Sequence, residues 1–333
     1  MRCHGDVRDD TEGRIIRLGI PAGGTRELVT DLEAWKHTVK CGGAQRARDP
    51  KLANLQMEPT RQTVCAIMSP RRAAHLNRWA DRRPPNMPDA LYDQIGQTYT
   101  STRQPDPRIA AAIAAVLGNA DTMVNVGAGA GAYELVGKPL VGVEPSWQMI
   151  QQRSNGASPV VQAMAEALPF GAGTFDVAFA VLTLHHWADW RRGLAEMKRV
   201  ARRVVIFAFD PNALANFWLT GTYFPEIVEL DRKRSPSIAE IAHELGGCSV
   251  DQVPIPHDCV DGFLAAFWRR PETYLDPGVR ASISGFALLD QDTVTRGVAR
   301  LESDLKSGAW ERSFGYLRAL DAIDAGYRLL ATH

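Results

Sequence analysis

The sequence lacks an excess of charge of either sign. Lysine and arginine number 38 and aspartate and glutamate also number 38 over 333 residues. The balance is uneven along the chain, because residues 1–86 carry 16 basic and 10 acidic side chains, which leaves 22 and 28 for residues 87–333. Nucleic-acid binding needs a broad basic face. The acidic remainder of the chain therefore predicts that no nucleic acid is a partner.

Cysteine is scarce and scattered. The five cysteines are Cys3, Cys41, Cys65, Cys248 and Cys259. An odd number at irregular spacing in a chain of this length excludes a disulfide framework and favours a reducing compartment. His243 and His257 lie near two of these cysteines, but the spacing matches no zinc-ligand pattern. The sequence therefore predicts no metal site.

Long apolar runs are absent as well. The longest, IAAAIAAVL at 109–117, has nine residues, whereas a membrane-spanning helix needs about twenty. The first thirty residues contain five acidic side chains and no apolar segment typical of a signal peptide. We therefore expect a cytoplasmic protein without a membrane partner.

Residues 1–86 differ in composition from the rest of the chain. They are rich in arginine, lack sustained periodicity and end in DRRPPNMP, a double proline flanked by charge. This pattern predicts a basic, weakly ordered N-terminal extension, with Met87 opening a folded domain over 87–333. A basic interaction arm is the alternative that the composition leaves open.

After Met87, short apolar strands alternate with helices. The strand candidates are TMVNV, LVGVE, PVVQ, DVAFAVL and VVIFAF between residues 122 and 209, then VDQVPIP and AGYRLLAT near the C-terminus. The clearest helix has Asp106 as its N-cap, Pro107 at its first position and Gly118 as its stop. Such alternation predicts an α/β fold, a doubly wound Rossmann-like sheet with helices on both faces.

The stretch NVGAGAGAYE, Asn125 to Glu134, places glycine at alternate positions directly after a predicted strand. Backbone N–H groups at such a turn can face a nucleotide, and we expect a following helix to add its dipole. GAGAGA fits both the dinucleotide pattern G-x-G-x-x-A and the pattern G-x-G-x-G. Glu144, which ends the next strand, could bind both ribose hydroxyls of either kind of cofactor. Close packing of a helix on the sheet is the purely structural alternative.

Further along, AMAEALPFGAGTFDVAFAVLTLHHW (163–187) resembles the signature of class I S-adenosylmethionine-dependent methyltransferases that act on small molecules. In that family an AExLPF turn packs on the adenine, FD opens the fourth strand, and an LHHW-like turn ends it. The resemblance covers about residues 109–209. It implies a seven-stranded sheet, mostly parallel with the last strand antiparallel, and S-adenosylmethionine as cofactor with S-adenosylhomocysteine as product. A nicotinamide enzyme would need a second glycine fingerprint, which the sequence lacks.

The resemblance also assigns cofactor contacts. From the amino acid end to the adenine end, these are Val181, Leu182, Gly127, Ala128, Gly129, Glu144, Pro145, Met149, Ala165 and Glu166. Asn125 belongs to the same predicted site, although the family usually has an acidic residue there. Met164 stands where the family has Asp, so adenine recognition falls on backbone groups or Glu166.

The segment ALYDQIGQTYTSTRQPDPR (90–108) resembles the part of the family that folds over the cofactor. The resemblance implies that Tyr99 and Arg103 reach the cofactor carboxylate, where an arginine can make a charge-assisted contact. Tyr92 is predicted on the acceptor side. Packing of both tyrosines onto the core is the alternative.

Methyl transfer from a sulfonium depends mainly on alignment, and a base is needed only if the acceptor must lose a proton. Candidate acid–base groups are His186, His257 and Asp258. Aromatic side chains predicted to line a site for a flat or apolar acceptor are Trp187, Phe217, Trp218 and Tyr223. Structural histidines and ordinary core packing are the alternatives.

These observations predict methyl transfer from S-adenosylmethionine to an oxygen, nitrogen, sulfur or carbon atom of a small molecule. The part of the chain after about residue 210 is expected to supply the acceptor site. The competing hypotheses are a catalytically inactive binding or regulatory protein with the same fold, an RNA or protein methyltransferase, and a nicotinamide enzyme.

Overall fold

A computed structural model of the chain describes residues 103–135, 137–154 and 156–333. The predictions for residues 1–86, and those for Tyr92 and Tyr99, lie outside the described residues. None of the helices in the described ranges is long and apolar enough to cross a membrane.

In the described part of the chain, nine strands form two sheets. In chain order they are β1 Met123–Val126, β2 Leu140–Val143, β3 Val160–Val161, β4 Phe175–Val181, β5 Ala201–Phe209, β6 Ser249–Gln252, β7 Ile255–Pro256, β8 Ala322–Ile323 and β9 Tyr327–Ala331. The main sheet has the order β3–β2–β1–β4–β5–β9–β6, and β7 pairs with β8. β9 runs antiparallel to both of its neighbours, whereas all other pairs in the main sheet are parallel. This confirms the predicted seven-stranded, doubly wound sheet.

The helices begin largely where the sequence carries capping residues. They are α1 Pro107–Leu117, α2 Trp147–Gln151, α3 Trp190–Val200, α4 Trp218–Thr222, α5 Pro225–Arg234, α6 Ile238–Leu245, α7 Pro277–Ala281, α8 Ser284–Ala287, α9 Gln291–Lys306 and α10 Ala309–Phe314. The side chains of Asp106, Asp189 and Ser237 accept hydrogen bonds from the first turns of α1, α3 and α6. A side-chain acceptor there satisfies a backbone N–H that the helix itself cannot pair.

The central strands are buried on both faces, as expected for a parallel sheet covered by helices. Side chains alternate along β4, so that Val177 and Phe179 join the core that includes α1. Ala178 and Ala180 face the opposite core, which includes residues of α3 and α6. Because these strands run parallel, the carboxyl ends of β1, β2, β4 and β5 all lie at one edge of the sheet.

The connection from β1 to β2 differs from the expectation. The sequence pattern predicts a helix after the glycine loop, but the described part of residues 127–139 forms turns. Gly127, Gly129, Gly131 and Tyr133 all have positive φ angles, at 73°, 52°, 92° and 62°. A right-handed helix cannot include residues with a positive φ, and glycine adopts a positive φ more easily than other residues do. The expected helix dipole is therefore missing from this loop.

Candidate active site

The glycine loop lies in contact with the turn that follows β4. Backbone N–H groups of Gly127 and Ala128 both donate to the carbonyl of Val143, at 2.8 and 2.9 Å. A Cβ atom on Gly127 would lie 2.2 Å from the Oγ1 atom of Thr183. Glycine is therefore required at this position for two reasons, the positive φ and the closeness of Thr183.

Glu144 lies behind the same loop with its carboxylate held by backbone groups. Its Oε2 accepts from the N–H of Gly129 and its Oε1 from the N–H of Ser146, each at 2.8 Å. Burial raises the pKa of Glu144 to about 6, and the two backbone hydrogen bonds limit the rise. Each oxygen keeps a second lone pair. The carboxylate can therefore still accept hydrogen bonds from the hydroxyls of a ribose.

A buried ion pair, rather than a helix, holds the glycine loop in position. Arg153, which follows α2, donates to both carboxylate oxygens of Glu134 at 2.7 Å, and the two side chains are only 4% and 5% exposed. Arg153 also donates to the carbonyls of Gly129 and Ser158, and Glu134 accepts from the N–H of Ser158. The pair thus joins three segments: the glycine loop, the end of α2 and the approach to β3. We call it the Glu134–Arg153 clamp.

Asn125, at the carboxyl end of β1, interacts with this clamp. Its Nδ2 atom donates to the Oε1 atom of Glu134 at 3.3 Å. Its Oδ1 atom is buried and has no hydrogen-bond partner within the described part of the chain. A carboxylate at position 125 would face the carboxylate of Glu134, so the amide suits its surroundings. The unpaired oxygen is a buried acceptor that a bound ligand or water could satisfy.

The residues predicted to contact adenine lie on the neighbouring loops of the same edge. Met149 is buried, and its methyl carbon would lie 3.3 Å from a Cβ on Gly129. Ala165 opens a 3-10 turn over Ala165–Ala167 and is buried. Glu166 accepts a hydrogen bond from the N–H of Asp189 at 3.1 Å. Pro145, half-buried, precedes α2. The cofactor role of each of these residues stays a prediction.

A small cavity opens beside the end of β4. Its polar lining includes Arg103, Arg234, Asp231 and His185, and its apolar lining includes Leu182, Phe209, Phe263 and Tyr327. The enclosed space is about 40 Å³, which is room for a few water molecules. Leu182 adopts a positive φ of 49° where the chain leaves β4. Val181, the last residue of that strand, is half-buried.

Of the two adjacent histidines, His185 lines the cavity, whereas His186 is not among its lining residues. Their ring centres lie 3.8 Å apart, and that of His185 lies 5.2 Å from Phe209. Burial lowers the pKa of both imidazoles, and the nearby Arg234 and Arg103 lower it further, to about 3 for His186. Both rings are therefore neutral at neutral pH and weak as bases, which gives the predicted base role of His186 no support.

The other predicted acid–base residues lie at the surface. Asp258 is 59% exposed and pairs with Arg108 at 2.6 Å. His257 has its Nδ1 atom 3.2 Å from the carbonyl oxygen of Asp321. Neither lines the cavity. Asp261, three residues further on, is buried instead and accepts from Arg103 at 2.6 Å, so that this segment contributes to the site by positioning Arg103.

The predicted aromatic acceptor wall is a structural core. Trp218 donates its indole N–H to the carbonyl of Trp268 at 2.9 Å and packs edge-on against Tyr223, Tyr274 and Trp310. Phe217 lies in the same cluster.

Trp187 packs elsewhere, on α3, where a Cβ on Gly193 would lie 2.4 Å from its ring. Neither Trp187 nor the aromatic cluster around Trp218 lines the cavity. The predicted contact of these four side chains with the acceptor has no support from their positions.

Sequence reasoning missed Arg234 and Asp231, which come from α5. The run ELDRKR has the composition of a solvated helix face, yet the side chain of Asp231 is only 3% exposed and pairs with Arg234 at 2.8 Å. Tyr327 and Phe209, which read as strand residues, also line the cavity. The described residues include no group of three His, Cys, Asp or Glu side chains that could hold a metal ion.

The geometry agrees with what comparisons with known proteins show. The model of the methyltransferase domain family matches residues 124–209. A solved structure from Anabaena variabilis, described as a methyltransferase from an antibiotic biosynthesis pathway, is 34% identical with a TM-score of 0.65. The match covers 70% of this chain and 99% of the chain in that structure. The chain belongs to the class I S-adenosylmethionine-dependent methyltransferases. S-adenosylmethionine is its cofactor, as the resemblance implied.

Two curated relatives share only part of the methyltransferase. One is the tRNA (carboxymethyluridine(34)-5-O)-methyltransferase alkbh8 of Xenopus tropicalis, 30% identical over 115 residues, which are 34% of this chain and 18% of the relative. The other is the uncharacterized methyltransferase YcgJ of Bacillus subtilis, 29% identical over 133 residues, which are 34% of this chain and 49% of the relative. The chain thus spans less than half the length of either protein.

Replacing Gly127 with alanine should prevent cofactor binding. The new methyl group would clash with Thr183 and force strain on a positive φ. We expect the affinity for S-adenosylhomocysteine, measured by calorimetry, to fall by more than about tenfold. Gly173→Ala is the matched control, because Gly173 has a similar φ of 62° with no atom within 4 Å of its would-be Cβ. Equal affinities in the two variants would contradict this role of the loop.

The affinity for S-adenosylhomocysteine should fall as the pH drops through about 6. The ribose hydroxyls bind the ionised form of Glu144, and protonation near its raised pKa of about 6 removes that form. Titration calorimetry between about pH 5 and pH 8 should therefore show a decline on the acidic side. Glu144→Gln should bind weakly at every pH and lose the decline. A wild-type profile that is flat over this range would argue against contact between Glu144 and the ribose.

Proposed function

We propose that the chain transfers the methyl group of S-adenosylmethionine to a small molecule that enters the cavity beside β4. The observation that carries this proposal is the position of the cavity. It lies beyond the carboxyl end of β4, on the side of the sheet where ligands bind in doubly wound folds, and Leu182 and His185 of its lining flank Thr183, the neighbour of Gly127. Its far wall is formed by Arg234 of α5 and by Phe263 and Ile283, all after residue 210.

The cofactor supplies an activated methyl group when it is bound. We infer that the glycine loop and Glu144 hold it, with Asn125 offering its unpaired Oδ1 atom as a further acceptor. Leu182 and His185 would then lie between the cofactor and the acceptor, since both line the cavity and follow β4. Their task is alignment and the exclusion of water rather than proton transfer.

A methyltransferase for RNA is the second candidate, favoured by the likeness of residues in this chain to part of a tRNA methyltransferase. The charge of the chain argues for the small-molecule alternative. RNA binding needs a basic surface for the phosphates. Residues 87–333 carry more acidic than basic side chains. The scattered cysteines favour a reducing compartment, and we propose the cytoplasm.

A transfer experiment with labelled cofactor separates these candidates. The full chain is incubated with methyl-tritiated S-adenosylmethionine and an extract of a host cell, which is then divided into small-molecule, RNA and protein fractions. We expect label in the small-molecule fraction with the wild type and Gly173→Ala, and none with Gly127→Ala. Label in RNA or protein would overturn the proposal. Cofactor binding without transfer to any fraction would instead indicate a binding protein that has lost catalysis.

A further inference from the structure

The two arginines that line the cavity differ in their hydrogen-bond partners. Arg103 and Arg234 both line it, and each pairs with an aspartate. The partner of Arg103 is Asp261, which is buried behind it and also accepts from the hydroxyl of Tyr133 at 2.8 Å. Asp261 is not part of the cavity lining. Arg103 therefore lines the cavity and is anchored by a buried carboxylate.

Arg234 has donor capacity that its surroundings do not use. Its Nε and Nη2 atoms both contact one oxygen, Oδ1 of Asp231, at 2.9 and 2.8 Å. The Nη2 atom also lies 3.5 Å from the hydroxyl of Ser284. Among the described residues none hydrogen-bonds the Nη1 atom, and the side chain is 20% exposed. A guanidinium in this state can donate to a further acceptor.

The pKa values of the two adjacent histidines depend on the charges in this part of the site. The positive charges of Arg234 and Arg103 both lower the pKa of His185 and of His186, in addition to the effect of burial. Protonation of either ring is disfavoured by two guanidinium groups, and neither aspartate reverses this effect. The two guanidinium groups therefore make the space beside His185 unfavourable for a cation.

We propose that the acceptor is an organic acid whose carboxylate binds to Arg234 in this cavity. This inference rests on the proposed function and names the class of its substrate. The enclosed space of about 40 Å³ matches such a group. The rings of Phe209, Phe263 and Tyr327 line the same cavity and give it apolar surface beside this group.

An anionic acceptor also explains how the site works without a strong base. The oxygen attacks the methyl carbon with its own electron pair, and the carbon–sulfur bond breaks with its pair going to the sulfur. The acceptor loses its negative charge and the sulfur its positive charge, and no proton has to leave. His185 can then remain neutral throughout. An amine acceptor would arrive as a cation beside two arginines and would have to lose a proton to a weak base.

Three probes of the same shape and different charge test this class. Benzoate, benzamide and benzylamine are titrated by ligand-observed NMR into the full chain saturated with S-adenosylhomocysteine. We expect benzoate to bind at least about tenfold more tightly than the other two, because only it makes a charge-assisted contact with Arg234. Preferential binding of benzylamine, or equal binding of all three, would overturn the proposal.

Variants assign the preference to one residue. Arg234→Gln should remove the advantage of benzoate, whereas Arg232→Gln should keep it, because Arg232 lies on the same helix but pairs at the surface with Glu229. Arg234→Gln leaves Asp231 buried without its cation, so the double variant Asp231→Asn, Arg234→Gln is included to remove both charges. It should also lose the advantage, with an unchanged affinity for S-adenosylhomocysteine. A preference for benzoate that survives in both variants would contradict the assignment.

The two levels of inference fail separately. If label from the cofactor reaches small molecules while benzoate shows no advantage, the proposed function holds and the acidic acceptor class is wrong. If label reaches RNA, the proposed function is wrong whatever benzoate does.

Discussion

The arrangement of the active site depends on the buried ion pair between Glu134 and Arg153. A glycine loop after the first strand is usually continued by a helix, whose first turn both shapes the loop and adds partial positive charge. Here only thirteen residues join β1 to β2, and five of those that the structure describes have positive φ angles. The clamp takes over the shaping by joining the loop to α2 and β3. The charge of Arg153 is paired with that of Glu134, so the clamp shapes the loop without adding net charge.

The clamp accounts for the neutral residue at the end of β1. Glu134 already places a carboxylate 3.3 Å from the side chain of Asn125. A carboxylate at position 125 would repel the carboxylate of Glu134, and this repulsion would disfavour the charged form of both groups. Asn125 therefore donates to Glu134 and keeps an acceptor oxygen unpaired among the described residues. The family usually has an acidic residue where this chain has Asn125. Here the carboxylate beside that position belongs to Glu134, nine residues later in the chain.

The sequence predicted those parts of the molecule that are determined locally. Asp106, Asp189 and Ser237 mark helix starts by capping, and apolar runs mark the strands, so that the sheet and the cofactor class could be inferred. The clamp joins residues 19 positions apart, and no local pattern encodes it. Arg234 was missed because its helix reads as a charged surface, although tertiary contacts bury Asp231 beside it. Aromatic residues around Trp218 were assigned to the site because composition does not distinguish a pocket wall from a core.

The most direct test of this account is a double-mutant cycle on the clamp, with the affinity for S-adenosylhomocysteine as its readout. Glu134→Gln and Arg153→Gln should each lower the affinity by more than about tenfold, because either change leaves a buried charge unpaired and frees the glycine loop. The double variant should bind no more weakly than the weaker single variant. Asp324→Asn, which breaks the more exposed pair with Arg328, should leave the affinity unchanged. Unchanged affinity in both single variants, or losses that multiply in the double variant, would contradict the claim that this pair shapes the site.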